Sequence, residues 1–520
     1  MTWDTHSDQD LVQSAAHNAV SDVVIVGAGP TGLLLAGDLA ARGVGCTVLE
    51  RRAESADTSA TRAFAVHARS LEQFDARGLA DRLIETGTTV DSLLLYGRAA
   101  ISFAGLDSRF PYLLVTPQYN VERLLAERAT AAGARIVRGV EVVGVNQDSD
   151  GVSVRVRADG ADRAESVYRA TYAVGADGVH SSVREALGLP FPGRPVVRSI
   201  MLADVRFTNP PQEVLTVAAV GDAFAFIAPF GDGWYRTFCW NRRNQVPPGA
   251  PLDLAEIRTV LHWALGTDFG LAEARWMSRF QSDERQVPAY RVGRVFLAGD
   301  AAHCHSPAGG QGMNTGLQDA ANLGWKLAAV LNGRAADPER LLDSYHTERH
   351  PVGRMVLRSS GALVRLALIK PLAIRTARNA LSAAVLRVPA FAHRAMGTVS
   401  GIAIEYGRPQ GAHPSIGKRV GDLPLTGSNG AGNIGSVMAS RLYEVLRNGR
   451  FVLIGRDADE ADIVNEWKGC VDYAVSAQSP HALLLVRPDG YVAWASDDTN
   501  AAARASAARG ALMQWCGSSR

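Results

Sequence analysis

The chain has 520 residues with 47% hydrophobic and 20% charged side chains, the balance of an ordinary globular protein with roughly two to four cores, which excludes one small binding module. Its 54 basic and 52 acidic residues leave a formal net charge of +2, and no clustered basic stripe stands out, so nucleic acid is not an expected partner. The five cysteines, Cys46, Cys239, Cys304, Cys470 and Cys516, lie far apart with no C-x-x-C pair, so neither a disulfide framework nor a zinc site is expected and the protein reads as cytoplasmic.

Residues 1–22 carry acids where a secretory signal needs positive charge, and they lack an apolar segment of about 7–15 residues, so they read as a flexible tail. Val23-Val24-Ile25-Val26 then reads as a buried parallel strand. It runs into Gly27-x-Gly29-x-x-Gly32, an apolar helix LLLAGDLAARG, and a second strand CTVLE that ends at Glu50, 18 residues after Gly32. In such a βαβ unit Gly27 makes the tight turn and Gly29 lets the backbone approach a pyrophosphate. Gly32 lets helix and strand pack closely, and Glu50 can accept hydrogen bonds from a ribose. The pattern predicts a dinucleotide site without distinguishing NAD(P) from FAD.

Further along, TPQYNVERLLAERATAAG reads as a helix, followed by a strand pair with a hairpin signal at Asp150-Gly151 and a third strand, YRATYAVGADG. Between about Pro190 and Val287 the texture changes to short alternating runs rich in aromatics, the signature of an antiparallel sheet inserted into the nucleotide domain. Phe224, Phe226, Trp234, Tyr235, Phe238 and Trp240 offer rings there, and alternation sets Phe224 and Phe226 on one side. Strand, loop and long helix resume near Val292 with RVFLAGDAAHCHSPAGGQGMNTGLQDAANLGWKLAAVL. An apolar stretch from Leu363 is broken by Arg365, Lys370, Arg375 and Arg378, so no membrane span is expected. It reads as a helix covering the core or a subunit contact, with surface binding to a membrane as the alternative. From about Gly407 the chain restarts as a separate α/β domain.

Three separated segments fall into one pattern: Gly27-Ala-Gly-Pro-Thr-Gly32 with Glu50-Arg51; Gly175-Ala-Asp-Gly178 with Ser182-Val183-Arg184; and Gly299-Asp300-Ala-Ala-His303, continuing through Pro307 to Gly309-Gly-Gln-Gly-Met-Asn314. The ordered trio, spanning about Val23 to Val352, resembles the single-component FAD-dependent aromatic hydroxylases, and the carboxyl end resembles the thioredoxin-like domain of phenol and polyketide hydroxylases in that family. The resemblance implies an α/β fold in which a discontinuous Rossmann-like FAD domain (23–190 and 291–355) carries an inserted antiparallel sheet for the substrate (191–290). A helical connection (356–406) and a thioredoxin-like domain (407–520) follow.

It also implies roles. Gly27, Gly29, Thr31, Gly32, Glu50, Arg51, Arg62 and Gln118 would serve the adenosine, phosphate and ribityl parts of FAD, and Asp177 would serve both FAD and the nicotinamide cofactor. Asp300 would hold the ribityl hydroxyls, Pro307 would lie beside the isoalloxazine, and the backbone amides of Gly312, Met313 and Asn314 would face the flavin's pyrimidine edge, where a helix N-terminus favours negative charge. Phe224, Phe226 and Tyr235 are the substrate candidates. His303-Cys304-His305 lies in a loop with no further grouped ligands, so no metal is expected. No Ser sits in a G-x-S-x-G elbow, and no catalytic base is singled out.

The implied reaction is hydroxylation of a phenolic small molecule, a polyketide or antibiotic, by NADPH or NADH and dioxygen through a flavin hydroperoxide, in a monomer or homodimer. Baeyer–Villiger oxygenation of a polyketide ketone and non-catalytic FAD-fold binding are the alternatives. Flavin-dependent halogenation lacks its W-x-W-x-I-P signature here.

Overall fold

The structure, a computed structural model, describes residues 20–53, 63–95, 99–159, 164–367, 369, 372–429 and 439–518. β1 (Val20–Val26) buries Val23 to Val26 completely, as a strand covered on both faces must. At Gly27 the backbone takes a φ of 103°, and the Ala176 carbonyl occupies the place of a side chain. α1 (Pro30–Ala40) starts with proline in its first turn and leads to β2 (Cys46–Glu50). Any Cβ at Gly32 would collide with the Gly27 carbonyl, so the helix lies close over the strand end.

A short strand β3 (Ala65–Val66) and the helix α2 (Ala68–Asp75) precede α3 (Gln118–Ala131) and β4 (Arg135–Arg138). The predicted hairpin is β5 (Val140–Gln147) with β6 (Val152–Ala158), its turn held by Asp148 accepting from the amides of Asp150 and Gly151 at 2.8 and 3.0 Å. β7 (Glu165–Gly175) returns to the centre and α4 (Ser182–Ala186) follows. With β13 (Val295–Leu297), five strands run parallel in the order β4, β2, β1, β7, β13, and the hairpin pairs on β7.

The inserted sheet contains β8 (Gly193–Phe207), β9 (Thr216–Val220), β10 (Ala223–Pro229), β11 (Tyr235–Asn241) and β12 (Leu271–Gln286), all antiparallel, in the order β9, β10, β11, β8, β12. Its sixth member is β14 (His303–Cys304), which comes from the loop after β13, so the two sheets share a segment. One face packs under α5 (Leu254–Leu265) through Met201, Val205, Ala225, Ile227 and Cys239.

α6 (Gln311–Leu331) crosses back against α1, and α7 (Pro338–Ala367) runs straight through residue 355, where a domain boundary was expected. α8 (Leu372–Arg387) and α9 (Pro389–Ser400) complete the helical connection and expose Ile374, Leu381, Val385, Val388 and Phe391. None of the described helices is long and apolar enough to cross a membrane. The C-terminal unit has a sheet of β15 (Gly427–Asn429), β16 (Phe451–Gly455), β17 (Val471–Val475), β18 (Leu483–Val486) and β19 (Val492–Ser496), ordered β15, β17, β16, β18, β19, and ends in α10 (Ala501–Cys516).

Candidate functional site

The parallel strands end together at Val26, Glu50, Gly175 and Leu297, the edge where open α/β sheets bind ligands. A cavity of about 650 Å³ opens there between Gly29-Pro30-Thr31, Gln118, Gly178, Asp300 and the turn from Pro307 to Met313. Gly29 caps α1 in an extended conformation, and nothing lies within 4 Å of where its Cβ would stand, so the space before the helix N-terminus is open. Thr31 is wedged between Gly299 and Gly316, which have no room for side chains.

Glu50 holds the turn: Oε2 accepts from the Ala28 amide at 2.7 Å, and Oε1 accepts from the amide and Nε of Arg52 at 2.8 and 3.2 Å. Arg52 reaches Glu122 at 3.5 Å, and Gln118 donates to Glu122 at 2.8 Å while accepting from the Ala63 amide at 3.0 Å. Burial pushes the Glu122 carboxyl up. The Arg51 side chain is exposed, while its neighbour Arg52 carries the contacts to Glu50 and Glu122. Arg62 lies outside the described residues.

Asp300, on a single 3-10 turn, is exposed toward the cavity. Opposite it, the first amides of α6, those of Gln311, Gly312 and Met313, have no ladder carbonyl to bond, and the preceding Gly310 amide is taken by the Pro307 carbonyl at 3.0 Å. The buried side chain of Asn314 accepts from the His67 amide at 2.9 Å and donates to the carbonyls of Ala65 and Gly310 at 2.9 and 2.7 Å, so it clamps β3 to the start of α6.

Asp177 Oδ2 accepts from the Val183 amide at 3.2 Å at the start of α4, Oδ1 has no partner among the described residues, and burial raises the carboxyl's pKa. Its neighbours Ala176 and Gly178 border the cavity.

The loop from Gly299 to His303 hangs on Asp319, fully buried in α6. Its Oδ2 accepts from the Gly299 amide at 3.1 Å and meets His303 Nε2 at 2.7 Å, and its Oδ1 accepts from Arg349 Nε at 2.7 Å. The Arg349 guanidinium and His303 hold the Asp319 carboxyl below the usual range against its burial. Sequence reasoning missed Asp319, since a carboxylate inside an amphipathic helix carries no marker of burial.

The residues fit FAD. The glycine turn leaves room for a pyrophosphate, unpaired helix amides suit a polarised ring edge, and the cavity falls within the roughly 300–1,000 Å³ of small-molecule sites. Three buried polar atoms on side chains bordering it, Arg279 Nε, Ser282 Oγ and His305 Nε2, have no partner among the described residues.

A second cavity, of about 210 Å³, shares Phe64, Ala65, Phe238, Ser306, Pro307 and Gly310 with the first. Its far wall is the other face of the inserted sheet, with Phe224, Phe226, Phe238 and Trp240, and Leu363, Val364 and Ala367 of α7 close it. Phe64, Phe226 and Phe238 pack ring to ring at 5.3 to 5.8 Å where the two cavities meet. Phe224 and Phe226 therefore line this chamber. Tyr235 does not: it alternates with Phe238 and Trp240 on β11 and packs instead on Phe207 at 5.4 Å, under α5. Phe64 lies before β3, outside the inserted sheet, which is why the aromatic pattern of that sheet did not point to it.

His303 binds Asp319, and His305 Nδ1 meets the Ser306 carbonyl at 2.9 Å. Elsewhere His413 and His481 both meet Asp497, at 3.2 and 3.0 Å, and Ser415 Oγ lies 2.7 Å from His481 Nε2, joining three segments of the C-terminal unit.

Residues 20–360 match an FAD binding domain family and residues 413–519 the aromatic-ring hydroxylase C-terminal family. The chain is 40% identical to a rifampicin monooxygenase of Streptomyces venezuelae over 92% of this chain and 96% of that protein. It is 38% identical to the 12-dehydrotetracycline 5-monooxygenase/anhydrotetracycline 6-monooxygenase of Streptomyces rimosus, over 91% and 95% respectively. Its fold superposes on a solved anhydrotetracycline hydroxylase from Streptomyces rimosus with a TM-score of 0.81 at 35% identity, covering 96% of this chain and all of that one.

Proposed function

The chain belongs to the FAD-dependent aromatic-ring hydroxylases and is a monooxygenase, and from that premise we propose that it uses NAD(P)H and dioxygen to hydroxylate a phenolic polyketide or antibiotic. The observation that carries the substrate class is the apolar, ring-lined chamber meeting the polar cavity at Phe64 and Pro307. The relatives that act on rifampicin and on tetracyclines support it. A monomer or homodimer suffices, since both cavities lie within one chain; light scattering reads the state.

Each part of the chain has a task in this reading. Glu50 accepts from the ribose, the Gly29 turn and Thr31 meet the pyrophosphate, Gln118 the adjoining chain, Asp300 the ribityl hydroxyls, and the amides of Gln311, Gly312 and Met313 the pyrimidine edge. Bound there, FAD supplies hydride acceptance and the activation of dioxygen. Phe224, Phe226, Phe238 and Trp240 orient a flat ring toward Pro307, and the closed apolar wall excludes water where oxygen is transferred.

The test is NADPH and NADH oxidation by the purified holoenzyme with rifampicin and anhydrotetracycline as probes, read with product mass and NMR. Acceleration with an added ring hydroxyl is expected. Oxidation that no phenol accelerates, with no oxygenated product, defeats the proposal. For the cofactor residues, Asp300→Ala removes ribityl hydrogen bonds worth about 1–3 kcal/mol, so FAD should dissociate roughly tenfold more readily in a fluorescence titration. Unchanged affinity removes Asp300 from that role.

A further inference from the structure

We infer that His67 is the hydrogen-bond acceptor for a hydroxyl of the aromatic substrate, so that the apolar chamber selects free phenols over their O-alkyl ethers. This rests on the reading of that chamber as the substrate site.

His67 is 3% exposed and borders the apolar chamber but not the polar cavity. The backbone amide is held by Asn314 at 2.9 Å, and the Gly309 carbonyl lies beside the ring. Nε2 has no partner among the described residues, and it is the one buried polar side-chain atom of the chamber's described lining left so. Gly310 keeps it uncovered, for a Cβ there would stand 3.5 Å from Nε2.

The chemistry of the acceptor follows. Burial pushes the imidazole down to about 4, so at neutral pH the ring is uncharged and has one N–H and one lone pair. With its N–H on Nδ1, the ring offers the lone pair at Nε2. The one hydroxyl in the described lining, that of Ser306, accepts from the Ala308 amide at 3.3 Å and keeps its own O–H. Among the described residues no lysine or arginine borders the chamber, and the group that satisfies Nε2 is a neutral O–H.

The experiment compares 1-naphthol with 1-methoxynaphthalene, nearly equal in shape, by the perturbation each causes in the flavin absorbance of the holoenzyme. The wild-type protein should bind the naphthol about tenfold more tightly, as expected of a buried acceptor left unmade by the ether. His67→Leu should erase that preference with FAD affinity unchanged, and His67→Gln, which keeps an acceptor, should restore part of it. His67→Phe carries the same comparison if the leucine variant does not fold. A preference that survives in His67→Leu or His67→Phe overturns the inference, as does loss of FAD from them, which would assign Nε2 to the cofactor. Failure of the chamber reading looks different: neither compound would perturb the wild-type flavin, and the inference would fall with it.

Discussion

Phe64, Phe226 and Phe238 show how single residues set the meeting point of two cavities. The rings come from the segment before β3 and from adjacent strands of the inserted sheet, where Phe226 and Phe238 are direct cross-strand partners. Each such ring pair contributes about 0.5–1.5 kcal/mol beyond its buried area. Phe226→Ala should therefore loosen the junction, raising the KM for a phenolic probe by about tenfold and lowering the product formed per NADPH consumed, as measured by parallel NADPH and product assays.

His67 also predicts a pH effect on stability. Its folded pKa, about 4, lies below the unfolded value of 6.5, so the folded state resists protonation. Its contribution is whole above pH 6.5 and is lost as pH falls toward 4, by about 3 kcal/mol over the whole interval. His67→Gln should flatten that part of the acid limb in urea unfolding at stepped pH, and an unchanged limb would refute the assignment.

At the scale of elements, α6 has two jobs. Its first turn offers unpaired amides to the cavity, and about two turns further in, Asp319 pins the Gly299–His303 loop and Arg349 of α7. Removing one charge of a buried pair leaves the other uncompensated and typically costs about 3–5 kcal/mol. Asp319→Asn should thus lower the melting temperature, and because the same loop carries Asp300, it should weaken FAD binding as well. A loss of stability without loss of FAD affinity would separate the two jobs. The inserted sheet shows a second element-level device: β8 shifts register between Val197 and Ile200, and Ser199, with φ of 57°, accepts from Arg279 at 3.0 Å beside the polar cavity.

For the molecule as a whole, the C-terminal unit is bound in rather than tethered. Trp325 of α6 belongs to the same apolar cluster as Phe451, Leu453, Trp467 and Leu512, and Glu348 of α7 pairs with Lys326 at 2.8 Å and with Arg487 of the C-terminal unit at 2.8 and 3.0 Å. Arg349 also comes within 3.4 Å of the Tyr406 hydroxyl, and Tyr406 stacks on Tyr491 at 4.2 Å. Calorimetry should accordingly give one cooperative transition, and Glu348→Gln, which strands Lys326 beside Arg487, should shift that whole transition down by several degrees. Two resolved transitions would mean that the units unfold independently.

Much was legible because the chemistry was local. The glycine spacing from Gly27 to Gly32, the period-2 run at Phe224 and Phe226, and the start of α6 at the Gly310–Met313 turn all depend on residues a few positions apart, where backbone geometry dictates the outcome. What failed to show was set by distant partners. Asp319 anchors the Gly299–His303 loop, Tyr235 falls on the α5 face, and Phe64 reaches the sheet from another segment. The sequence by itself determined the dinucleotide turn, the two-sheet architecture and the family. Only the tertiary structure decided which polar atoms remain unpaired and which rings share a chamber, because burial and partner choice are fixed by packing between segments as far apart in the chain as His67 and Asn314.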